Sequence, residues 1–145
     1  MPGVTRQIIY FCLLAFLLPA CSKSGSGGNG NNDPHEINYN DVTAPVVEIN
    51  SPVAGELFLS GNSIVVTGKI TDTQGLYRGH IKVTSDANGA VLKDQAYDIH
   101  GLLLYNYNLS YLVNTATAGT YTVSVAFEDH GLNMTTKTVK VSVGP

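Results

Sequence analysis

The chain is 145 residues long and carries 8 Lys and Arg against 11 Asp and Glu, a net charge of −3, which excludes the basic stripe that nucleic-acid binding requires. Its 2 cysteines, Cys12 and Cys21, both lie near the N-terminus, so the remainder of the chain holds no disulfide, no cysteine-ligated metal and no thiol nucleophile. A chain of this size suits one domain stabilised by packing alone.

The first element is an apolar run. Arg6 supplies a positive charge ahead of Ile8 to Leu18, a stretch well under the ~20 residues of a membrane span and laid out as a secretory signal. The run closes on Leu18-Pro19-Ala20-Cys21, which resembles the lipobox of bacterial lipoproteins. That resemblance implies cleavage before Cys21, a thioether from its sulfur to diacylglycerol, and acylation of the new N-terminus by palmitate or a similar chain. Ser22 follows where Asp would signal retention, so the implied location is the cell outer membrane, with the leaflet left open.

From Ser22 to Pro34 the residues are Ser, Lys, Gly, Asn, Asp and Pro, none able to anchor a core. Such a segment is a flexible tether with a root-mean-square span of roughly 25 Å. The chain therefore divides into a signal over 1–20, a lipidated cysteine and tether over 21–43, and a folded domain over 44–145.

Beyond Pro45 the apolar period is two. The alternation predicts strands at about 46–50, 63–71, 77–85, 90–99, 102–113, 119–128 and 134–143. The last two are the clearest: Tyr121, Val123, Val125 and Phe127 alternate with Thr122, Ser124, Ala126 and Glu128, and Val139, Val141 and Val143 alternate with polar residues. Turns are marked by Ser51-Pro52, Gly61-Asn62, Thr73-Gln74-Gly75, Asn88-Gly89, His100-Gly101, Ala118-Gly119 and His130-Gly131. Seven short strands at this spacing predict an all-β antiparallel sandwich. Tyr105, Tyr107 and Tyr111 share one face of the fifth strand; such a stripe reads as core packing, with a sugar-stacking platform as the rival.

Asp41-Val-Thr-Ala-Pro45 followed by Ser51-Pro52-Val-Ala-Gly55 resembles the opening of bacterial Ig-like domains. Gly68-Lys-Ile-Thr-Asp72-Thr-Gln-Gly75 and Gly119-Thr-Tyr121-Thr-Val-Ser-Val-Ala-Phe-Glu-Asp129 are similar to later segments of that family. The family commonly continues Asp-x-x-Gly-Asn, whereas Asp129-His130-Gly131-Leu132-Asn133 places its glycine one residue early. The resemblance implies a single Ig-like β-sandwich of about seven strands, with Tyr121 in the tyrosine-corner position, its hydroxyl bonded back to the main chain. Together with the lipobox and tether, it is similar to small single-domain lipoproteins whose function is unknown.

In such a sandwich the loops after the second, fourth and sixth strands share one pole. This gathers Asp72, His100, Asp129 and His130, with Asp41 arriving from the tether. Asp72, Asp129 and Asp41 are candidate Ca²⁺ ligands, because Ca²⁺ takes 6 to 8 hard oxygens; His100 and His130 would suit a transition metal instead. The competing account is that Asp72 and Asp129 only cap turns through nearby backbone amides. There is no Gly-x-Ser-x-Gly, no His-Glu-x-x-His and no phosphate loop, so no catalytic residues are assigned and the expected protein is not an enzyme. The reading is an envelope lipoprotein whose Ig-like domain is a binding, adhesion or spacer module facing another envelope protein or a glycan. Its rivals are an accessory subunit of a surface complex with a Ca²⁺-stabilised loop pole, and a metal-dependent hydrolase.

Overall fold

A computed structural model describes residues 36–145. The residues read as signal, lipidated Cys21 and tether, through residue 35, lie outside the described residues. Eight strands follow one another: β1 Val46–Ser51, β2 Leu57–Leu59, β3 Ser63–Thr71, β4 Leu76–Ser85, β5 Val91–Asp98, β6 Leu104–Leu112, β7 Gly119–Asp129 and β8 Met134–Gly144. They form a three-stranded sheet ordered β1-β3-β6 and a five-stranded sheet ordered β2-β8-β7-β4-β5. All pairings are antiparallel except β2 with β8. Two sheets whose strands exchange in this order make an immunoglobulin-like sandwich.

The count differs from the seven strands expected because of β2. Leu57, Phe58 and Leu59 pair in parallel with Ser142, Val143 and Gly144. Three residues between Gly55 and Gly61 are too few for an alternation to register, and only Phe58 packs against the core while Leu57 and Leu59 stay exposed.

The core lies between the sheets. Val47, Ile64, Val66 and Ile70 meet Ile81, Val83, Val123, Val125, Phe127, Val141 and Val143, all buried. Two bare glycine positions set how closely large rings approach the strands. A Cβ on Gly68 would lie 2.0 Å from the Glu48 carbonyl oxygen and 2.3 Å from the Tyr107 hydroxyl; one on Gly79 would lie 2.3 Å from the Phe127 ring. Tyr107 and Phe127 then stack on each other, centroids 6.4 Å apart at 18°. The tyrosine stripe of β6 is thus core, with Tyr105 against Tyr97 at 5.9 Å, and burial raises the pKa of the Tyr97 hydroxyl and pushes that of Tyr107 well above its usual range.

The tyrosine corner is a correction. Tyr121 is buried, but the hydroxyl tied to the main chain is that of Tyr107, donating to the Glu48 carbonyl at 2.7 Å. Tyr107 can make this bond because the adjacent residue on β3 is Gly68, which leaves room for the ring to cross toward β1. Tyr107→Phe should therefore cost about 1 to 2 kcal/mol, the lost bond plus a poorly hydrated carbonyl. Tyr121→Phe should be close to neutral. Urea unfolding midpoints at unchanged slope check the pair.

Candidate metal centre

Three chain segments meet at one pole. Between β3 and β4, Asp72 Oδ1 accepts the backbone N–H groups of Gln74 and Gly75, each at 2.7 Å. At the end of β7, Asp129 Oδ1 accepts the Asn133 N–H at 2.9 Å, and the Asn133 side-chain amide donates to Asp129 Oδ2 at 3.0 Å. Ahead of β1, Asp41 Oδ1 accepts the Thr43 N–H at 3.0 Å. Each aspartate caps a turn in the ordinary way.

Capping uses one oxygen of Asp41 and one of Asp72, whereas both oxygens of Asp129 accept from Asn133. Oxygens of Asp41, Asp72 and Asp129 lie within 4.8 Å of one another. The three residues are 2 %, 9 % and 0 % exposed, and Oδ2 of Asp41 and of Asp72 is buried with no hydrogen-bond partner. Among the described residues the lysine and arginine ion pairs are made elsewhere, to Glu48, Glu128, Asp94 and Asp86. Converging buried carboxylates without a cation are costly. The oxygen-only donor set suits a hard divalent ion, and Ca²⁺ above the transition metals.

The histidines stand apart from this group, which contains neither imidazole. His100, His130 and Tyr77 form a ring cluster, with Tyr77 4.5 Å from His100 and 4.9 Å from His130, and 5.4 Å between the two imidazoles. His100 Nε2 meets Asp98 Oδ1 at 2.6 Å. His130 Nδ1 donates to the Glu36 carbonyl at 2.8 Å, since a carbonyl can only accept.

That last bond belongs to a latch that sequence reasoning missed. Residues 36–41, within the span read as tether, lie against the pole: Asn38 N–H donates to the His130 carbonyl at 2.8 Å, Asn38 Nδ2 to Gln74 Oε1 at 2.9 Å, and Asn133 Nδ2 to the Asp41 carbonyl at 2.9 Å. The displaced glycine of this loop now has a physical reason. A Cβ on Gly131 would lie 2.3 Å from the Asp41 carbonyl oxygen, so residue 131 must be bare for the incoming segment to seat. The position where the family pattern carries glycine is instead Leu132, at φ 64°. A leucine in the left-handed region costs roughly 1 to 2 kcal/mol. Leu132 is 45 % exposed and loses little burial on truncation. Leu132→Gly should raise stability by about 0.5 to 1 kcal/mol after the unfolded-state entropy of glycine is subtracted, a gain that chemical denaturation can measure.

No family model matches the chain, and no curated protein does. Solved structures do match. One is described as the fibronectin(III)-like modules of Clostridium thermocellum CbhA, with a TM-score of 0.45 and 17 % identity over 68 % of this chain and 96 % of that one. Another is a β-glucosidase from Listeria innocua in complex with glucose, with a TM-score of 0.44 and 12 % identity over 70 % of this chain and 16 % of that one.

Proposed function

We propose that this protein is a lipid-anchored envelope module whose sandwich serves as a binding or spacer unit, with a Ca²⁺ ion fastening the root of the tether to the loop pole. The observation carrying the ion is the convergence of Asp41, Asp72 and Asp129 with two buried oxygens left unpartnered. The anchor rests on Leu18-Pro19-Ala20-Cys21 and the Gly/Ser/Asn run after it. Ca²⁺ would neutralise the carboxylates and take further oxygens from water or backbone carbonyls. Asp41 belongs to the segment ahead of β1, while Asp72 and Asp129 belong to the sandwich, so an ion held by all three joins tether to domain.

Two measurements test this reading. Thermal melts of the protein in Ca²⁺ and in chelator should differ by on the order of 10 °C, since an ion at 100 times its Kd contributes ~2.7 kcal/mol; superimposed curves would remove the ion from the proposal. For the anchor, intact mass of the mature protein should show a chain beginning at Cys21 plus acyl mass, and Cys21→Ala should leave the membrane fraction. An unmodified chain starting elsewhere would overturn the anchor and leave the metal centre standing.

A further inference from the structure

Sheet edges expose unpaired backbone groups, and natural sheets guard them with charge, proline, bulges or brevity. Three of the four edges here are guarded. β1 carries Glu48, has a register shift between Ile49 and Ser51 and lies between Pro45 and Pro52; β2 is 3 residues long; β5 carries Lys93, Asp94 and Asp98, with a register shift where it pairs with β4. The fourth, β6, pairs with β3 on one side, and no strand among the described residues pairs with its other side. It runs 9 residues without a charge, a proline or a register shift. The uncharged character extends further: no Asp, Glu, Lys or Arg occurs between Asp98 and Glu128. For β7, buried at the centre of its sheet, that is ordinary. For an edge it is not.

The sequence of β6 also reads nearly the same from either end. About Asn108, Leu104 mirrors Leu112, Tyr105 mirrors Tyr111, Asn106 mirrors Ser110 and Tyr107 mirrors Leu109. An antiparallel pairing of this strand with itself would set the two exposed leucines, 52 % and 54 % accessible, across from each other on the outer face, with small amides and hydroxyls between them. Tyr105, Tyr107, Leu109 and Tyr111 would remain on the inner face of both copies. A two-fold contact needs this self-complementarity, since each residue must suit its mirror partner.

We propose that β6 is a homodimerisation edge, where a second copy of this chain adds its own β6 in antiparallel register centred on Asn108, joining two three-stranded sheets into one of six. The inference is independent of the metal centre, which lies at the loop pole.

Cysteine cross-linking of the full chain tests it, scored against the background that Cys12 and Cys21 give in the parent. Across the two-fold only residue 108 faces itself, with Cβ atoms ~4.5 to 5.5 Å apart. Under mild oxidation Asn108→Cys should give a disulfide dimer several-fold above the parent, whereas Asn106→Cys and Ser110→Cys should each stay near background alone and cross-link when co-expressed. All three side chains are exposed, so the substitutions leave the fold intact. A charge exchange gives a second readout: Asn108→Lys and Asn108→Glu should each lose the dimer by size, and mixing them should restore it. Equal cross-linking at 106, 108 and 110, no excess at 108, or capture of a different protein in place of the homodimer would overturn the proposal.

Discussion

Gly68→Ala should destabilise the domain by about 3 kcal/mol, at the upper end of what overpacking costs. The added methyl would sit 2.0 Å from the Glu48 carbonyl oxygen and 2.3 Å from the Tyr107 hydroxyl. The carbonyl belongs to β1, the strand paired with β3 on that side, so relief requires moving a paired backbone rather than turning a flexible side chain. Displacing the ring also breaks the 2.7 Å bond that Tyr107 makes to the same carbonyl and disturbs its stacking on Phe127. For a domain of about a hundred residues such a loss lowers Tm by on the order of 15 °C. The double variant Gly68→Ala/Tyr107→Ala separates the two causes. Strain from the ring would make the pair cost less than the sum of the singles, whereas strain from the β1 carbonyl would leave the costs additive. A Gly68→Ala protein as stable as its parent would show that the close approach of β1, β3 and Tyr107 is misassigned.

The second large effect has opposite signs in two buffers. Asp41→Asn keeps the oxygen that caps Thr43 and replaces the buried, unpartnered Oδ2 with an amide N–H, in a residue whose carboxylate lies within 4.8 Å of those of Asp72 and Asp129. In chelator this removes a like charge and supplies a donor, so the variant should melt at or above the parent; two unit charges 4 Å apart at an effective dielectric of 20 repel by ~4 kcal/mol before hydrogen bonds offset them. In Ca²⁺ the variant should gain little, and the parent should overtake it. Asp129→Asn is a poorer probe, because Asn133 Nδ2 lies within 3.2 Å of both Asp129 oxygens and an amide there would set donor against donor. Crossing melts identify an ion site; a variant uniformly less stable in both buffers would reduce Asp41 to a turn cap.

The parts of the molecule legible from sequence are those with local causes. Strict alternation fixed the faces of β7 and β8, because Tyr121, Val123, Val125, Phe127, Val141 and Val143 pack inward irrespective of which strand lies opposite. The pole residues could be grouped because the connectivity of a sandwich determines which loops share an end. What escaped depended on contacts between distant segments. β2 is too short to show a period, and its pairing with β8 is parallel. Tyr107 and Tyr121 have the same spacing signal, and only the bare Gly68 beneath one of them decides which hydroxyl reaches the main chain. The latch was invisible for a related reason: Glu36, Asn38 and Asp41 are polar residues, and the partners that hold them, His130, Gln74 and Asn133, come from other loops.

The latch also bears on distance. Residues 36–41 lie folded back on the pole, and an extended chain covers ~3.3 to 3.6 Å per residue, so their release would lengthen the leash by up to about 20 Å. Under the anchor proposed above, a domain docked to its own stem would stand at one height above the anchoring surface. The same domain with the stem undone would sweep a larger volume about that proposed anchor. Because Asp41 is both the last residue of that stem and one of the three carboxylates, the proposed ion would couple the divalent ion content of the medium to the reach of the domain from its proposed anchor.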